Sequence, residues 1–150
     1  MERFQKKREY TTSVAMKMEF NKFIYTLMIK ENHLDTFGHV NNAAYLTLYE
    51  EARWDFITKN GYGLDVIQRE QKGPVVLDVN LRFKRELKNR QLISIHSQSQ
   101  DMSSKIMKMK QVMINPEGEV ASEALFTFGF MDMKLRKLVE MPQDWLNAVT

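Results

Sequence analysis

HLDTFGHVNNAAYLTLYEEARWDFITKNG, residues 33–61, joins a polar loop to a long helix. Tyr45, Leu48, Tyr49, Ala52 and Phe56 recur at three- and four-residue spacing and form one apolar stripe. Thr47, Glu51, Trp54 and Thr58 occupy the opposite side. Asn41 or Asn42 is the expected N-cap, because a short amide side chain accepts from a free N–H of the first turn. Asn60-Gly61 ends the helix, since glycine tolerates the left-handed conformation there. At 1.5 Å per residue the helix is about 28 Å long, enough to cover a sheet.

Working outward, Phe23, Tyr25, Leu27 and Ile29 alternate with Ile24, Thr26, Met28 and Lys30, which predicts a strand before the loop. Beyond the helix, Gly73-Pro74 introduces a strand. Val75, Leu77, Val79, Leu81 and Phe83 are expected on one face, with Asp78, Asn80, Arg82 and Lys84 on the other. Strands follow over Leu92 to Gln98, Ile106 to Ile114 and Val120 to Met131. Asn115-Pro116-Glu117-Gly118 supplies a hairpin turn between the last two. Ala124, Phe126, Phe128 and Phe130 share one side of the last strand, and Pro142 starts a short helix over Gln143 to Ala148. Short turns force antiparallel pairing. The result is an α+β fold: one long helix wrapped by a curved antiparallel sheet of about five strands. Residues 1–22 read as an N-terminal extension and 23–150 as a single domain. Open sheet edges invite pairing across a twofold axis.

Composition narrows the function. No cysteine is present, which excludes disulfides, thiolate zinc sites and cysteine nucleophiles. The three histidines are scattered, so no metal is expected, and no cofactor. A net charge of +3 permits an anionic partner without calling for nucleic acid. No apolar run approaches the roughly 20 residues of a membrane span, and Met1 to Lys22 lacks the apolar stretch of a secretory signal. A cytoplasmic protein without membrane partners is the expectation.

The chemistry concentrates before the helix. Asp35 and His39 are titratable groups in a loop that feeds a helix N-terminus, where free amides and the helix dipole favour negative charge. Such an opening suits an anion or a developing oxyanion. A carboxylate facing a carbonyl held by those amides is a hydrolytic layout. Gly38 fits a sharp turn or a close approach to a ligand. The plainer reading has Asp35 capping its own loop and His39 as an ordinary turn histidine.

The run Asp35-Thr36-Phe37-Gly38-His39-Val40-Asn41-Asn42, followed by Tyr45, Glu50 and Arg53, resembles a motif of hotdog-fold thioesterases of the 4-hydroxybenzoyl-CoA thioesterase-like group. It is also similar to the plant acyl-acyl-carrier-protein thioesterases, which share the His-Val-Asn-Asn run. The resemblance covers Phe23 to about Pro142. It implies a hotdog fold, a homodimer or homotetramer with active sites at subunit interfaces, and an acyl-CoA or acyl-carrier-protein substrate. It carries the catalytic carboxylate onto Asp35, as nucleophile or general base, and the oxyanion amide onto the backbone near Asn42. His39 matches a histidine thought catalytic in the plant enzymes. Those enzymes have an asparagine where this chain has Phe37, and their later acidic and cysteine positions find no counterpart, which favours an aspartate-centred mechanism.

Gly38, Val40, Asn41 and Tyr45 are the neighbouring candidates for substrate contact, although Tyr45 and Tyr49 also read as core. Arg85, Lys88 and Arg90, with Arg82 and Lys84, form a basic cluster suited to CoA phosphates, an acidic carrier protein or plain solvent. Glu50 and Arg53 read as a helix-surface ion pair, and His33 and His96 as structural. Leu77, Val79, Phe126 and Phe128 are core candidates. Two rivals remain: a hotdog hydratase or dehydratase, and a non-catalytic acyl-thioester binder.

Overall fold

Alternating exposure along Lys22–Met28 makes the first strand, β1. The computed structural model describes residues 19–150, so the expected extension lies, up to residue 18, outside the described residues. A single 3-10 turn at Glu31–His33 leads into the polar loop. The long helix α1 spans Asn42–Lys59, with Tyr45, Leu48, Tyr49, Ala52, Phe56 and Ile57 buried. Asn41 caps it: its side chain accepts from the Ala43 N–H, 2.9 Å away. Gly61, at φ +93°, turns the chain away.

A short helix α2, Leu64–Glu70, follows. Then come β2 (Lys72–Phe83), β3 (Leu92–Met102), β4 (Ile106–Ile114), β5 (Val120–Asp132), a two-residue β6 (Lys137–Leu138) and α3 (Gln143–Val149). The sheet order is β1-β3-β4-β5-β2, with β6 beside β5, and every pairing is antiparallel. β2 is an edge strand, which is why Pro74 is tolerated in it. The curled sheet and its helices make an α+β hotdog fold.

The single-face reading of β2 needs correction. Pro74 and Val76 sit opposite Phe130 and Phe128, whereas Val79 and Leu81 sit opposite Phe126 and Ala124. The register shifts between Val76 and Asp78, and Leu77 is the extra residue. A bulge of this kind reverses which face each side chain takes. Val75 therefore pairs with Gly129 on the other face, and Leu77 is 49% exposed and outside the core.

The core lies between α1 and the sheet. Phe23 stacks on Phe56 at 4.4 Å between ring centres, and Tyr49 meets Phe126 edge-on at 6.0 Å. Each large apolar side chain removed from water contributes about 1.5–3 kcal/mol. α3 closes one end: Trp145 packs on Tyr62 and Phe130.

The expected Glu50–Arg53 surface pair is replaced by a more buried arrangement. Arg53 donates to Gln111 Oε1 (2.8 Å), and its guanidinium lies 4.4 Å from the Phe126 ring centre and 5.1 Å from that of Phe128. Burial pulls its pKa down to about 10. The α1 stripe faces the sheet closely enough for this long side chain to reach inward rather than toward Glu50.

Candidate active site

The polar loop is closed by its own aspartate. The Asp35 N–H donates to the His39 carbonyl (2.8 Å), and Gly38 N–H returns to the Asp35 carbonyl (3.2 Å). Gly38 sits at φ +80°, where a side chain would be strained. Asp35 Oδ1 accepts from the Phe37 N–H (2.9 Å) and the His39 N–H (3.2 Å). One carboxylate oxygen thus holds the turn, as short acidic side chains do. Oδ2 has no hydrogen-bond partner among the described residues.

Two contacts fix this loop against the segment linking β2 to β3. Val40 N–H donates to the carbonyl of the fully buried Leu87 (3.0 Å), and His39 bridges Lys88 through the backbone. The Asn41 N–H donates to the His33 carbonyl (2.8 Å), which sets the loop at the start of α1. The Ala43 N–H is taken by Asn41 Oδ1 and the Ala44 N–H by the Asn41 carbonyl. The Asn42 amide is left without a partner among the described residues, at the positive end of the helix dipole.

Asp35, His39, Val40, Asn41, Asn42, Tyr45 and Arg85 line one open cleft of about 530 Å³. Lys84, from the expected basic cluster, completes it together with Phe83 and Glu86, which sequence reasoning does not single out for the site. Glu86 lies 3.2 Å from His39 Nε2, a pairing between distant segments that no local spacing announces. Tyr45 both packs edge-on against Phe83 (4.9 Å) and walls the cleft, and burial raises its pKa.

The basic cluster divides. Arg85 pairs with Glu119 at 2.8 Å and Lys84 with Glu123 at 3.2 Å. Arg90 grips both oxygens of Glu31 at 2.8 Å, outside the cleft lining. That grip, with Asn89, holds the Glu31 pKa down at about 2. Lys88 meets the loop through its backbone and is also absent from the lining. Gly38 shapes the turn beside the cleft without lining it.

A second cavity, of about 330 Å³, lies at the other end of α1 between the sheet, α2 and α3. Among the described residues no helix is long and apolar enough to cross a membrane.

A half-buried loop carboxylate with one oxygen free lines the same cleft as an unpaired helix-start amide, a pairing of groups suited to hydrolysis of an activated carbonyl. The chain belongs to the thioesterase-like superfamily, whose family model matches residues 30–149, and it is an enzyme of the thioesterase class. It is 34% identical over 116 residues to the long-chain acyl-CoA thioesterase FadM of Escherichia coli strain K12, covering 77% of this chain and 87% of that protein. It resembles the structure of the probable thioesterase YbaW from Escherichia coli at 31% identity and a TM-score of 0.74, over 84% of this chain and 95% of that one. The DHNA-CoA thioesterase of Staphylococcus aureus shares the fold, with a TM-score of 0.77 at 20% identity, over 85% of this chain and 87% of that one.

Proposed function

We propose that this chain hydrolyses acyl-CoA thioesters at the Asp35 cleft, releasing the free acid and the CoA thiol. One observation carries the reading: Asp35, with one carboxylate oxygen unpartnered, and Asn42, with its backbone amide unpartnered, line the same cleft. The amide would hold the carbonyl oxygen as it gains charge, and the carboxylate would either activate water or attack the carbonyl carbon itself. In both routes the thiolate leaves and water supplies the oxygen of the acid. His39, paired with Glu86, would orient the carboxylate or the water. Arg85 and Lys84 line the cleft and suit the CoA phosphates, with an acidic carrier protein as the other donor of the acyl group.

A homodimer or homotetramer belongs to the same proposal. Edge strand β2 exposes Val76, Leu77 and Phe83, at 51%, 49% and 55%, and an apolar open edge favours pairing with a second copy. The domain boundary near residue 22 and a cytoplasmic location complete it. The test is thiol release from a panel of acyl-CoA and acyl-carrier-protein thioesters. Turnover of acyl-CoA is expected, and sedimentation should show no monomer at working concentration. Absence of thiol release from every thioester would overturn the proposal.

A further inference from the structure

The cavity at the far end of α1 is lined by apolar and aromatic side chains except for two, Glu50 and Arg53. Met107, Met109 and Phe128 line it from the sheet and are buried. Trp54, Leu64 and Val76 also line it and are exposed, so they border its opening. Hydrocarbon suits such a space.

Arg53 is the unusual member. Its guanidinium carbon lies 5.1 Å from the ring centre of Phe128, itself part of the lining. Its hydrogen bond among the described residues goes to the neutral amide of Gln111, and no carboxylate there comes within ion-pair distance. Nε and Nη2 have no acceptor among the described residues, yet they are open to solvent: the unpartnered side-chain nitrogen that is sealed there is Trp145 Nε1. A half-buried cation without a counter-ion is costly, and desolvation accordingly pulls its pKa down to about 10. Glu50 is exposed, accepts from the Trp54 indole at 3.4 Å and offsets that shift only in part. An open guanidinium fork matches a carboxylate. A phosphate, with nearly two charges at neutral pH, would meet more repulsion from Glu50.

We infer that this cavity binds the anion of a free fatty acid, its carboxylate on the open nitrogens of Arg53 and its chain in the apolar space. The site is separate from the cleft, because Asn42 and Arg53 lie about 17 Å apart along α1 at 1.5 Å per residue. The acid that thioester hydrolysis would release is of this class. Binding needs no turnover, so an absence of thiol release would sink the thioesterase reading and leave this site standing.

The chain's two tryptophans, Trp54 and Trp145, both line this cavity. Bromine at the end of a bound chain therefore quenches their fluorescence from inside it. The probes are 8-bromooctanoic acid and 8-bromooctanol, titrated into the full chain at neutral pH and low salt. Their chains are too short to reach from the cleft to this cavity. The acid should quench at a roughly tenfold lower concentration than the alcohol, equivalent to about 1.4 kcal/mol. A cavity without a usable cation would favour the alcohol, which loses less hydration. Glu50→Gln removes the opposing charge and should tighten the acid about two- to fivefold with the alcohol unchanged. Arg53→Met should abolish the preference for the acid. Wild type and Glu50→Gln decide the matter even where Arg53→Met does not fold. An alcohol that binds as tightly as the acid, no quenching by either, an acid indifferent to Glu50→Gln, or a preference that survives in folded Arg53→Met would overturn the inference.

Discussion

Replacing Gln111 with leucine removes a fully buried amide at nearly constant volume. Gln111 Nε2 donates to the Tyr49 carbonyl (3.0 Å) and to Ser97 Oγ (2.9 Å), and its Oε1 accepts from Arg53 (2.8 Å). The Tyr49 carbonyl sits within α1 and keeps its helical partner, so its loss is minor. Arg53 loses an acceptor to a charged group, which costs about 1.5–3 kcal/mol, and the buried Ser97 hydroxyl adds about 1 kcal/mol. The sum is roughly 2.5–4 kcal/mol, a fall in Tm of about 10 °C at this chain length. Urea unfolding followed by circular dichroism measures it. The double variant Gln111→Leu with Arg53→Met should lose clearly less than the sum of the two single losses, because the second change removes a group already orphaned. A single Gln111→Leu loss below about 1 kcal/mol, or strict additivity in the double variant, would refute the reasoning.

Two further outcomes follow from the same structure. Asn41→Ala removes the N-cap of α1 and should cost about 1 kcal/mol, read as a fall in Tm of about 2–4 °C. No change would show that Asn42 or water caps equally well. His96 has its pKa lowered below 6.5, first by burial and then by Lys22. The unfolded chain therefore binds more protons just below pH 6.5, and stability should decline as pH falls from there toward the folded pKa. His96→Gln should flatten that slope in Tm against pH, and an unchanged slope would assign it to other groups.

The periodic parts of the fold were legible in the sequence. The stripe from Tyr45 to Phe56 and the alternation over β1 and β5 mark elements that bury one face, and such elements repeat. β2 is the exception because Leu77 bulges: a strand pattern is readable only while the register is unbroken, and the bulge sets Val75 on the face opposite Val79 and Leu81. α2 is only about two turns long, with Ile67 its buried residue, too little to make a period. β6 is two residues long and exists through its pairing with β5.

The loop at Asp35 was readable because its parts are consecutive. Part of what completes the cleft was not, since Phe83 comes from the end of β2 and Glu86 from the segment after it. The inward course of Arg53 was equally hidden: its acceptor, Gln111, is on β4, and its ring contacts are on β5. Likewise the pairing of Arg90 with Glu31 joins segments far apart in the chain, which no local spacing announces.

The most direct test of the account is thiol release from acyl-CoA by Asp35→Asn, measured beside Asp35→Ala and wild type. Asparagine keeps an oxygen able to accept from Phe37 and His39 but removes the charge. Turnover should fall by about a hundredfold or more, while Tm stays near that of wild type. Asp35→Ala should lose turnover and, with both loop bonds gone, about 1–2 kcal/mol of stability as well. An Asp35→Asn enzyme that releases thiol within a few-fold of the wild-type rate would contradict the account, leaving Asp35 a loop cap and the chemistry elsewhere.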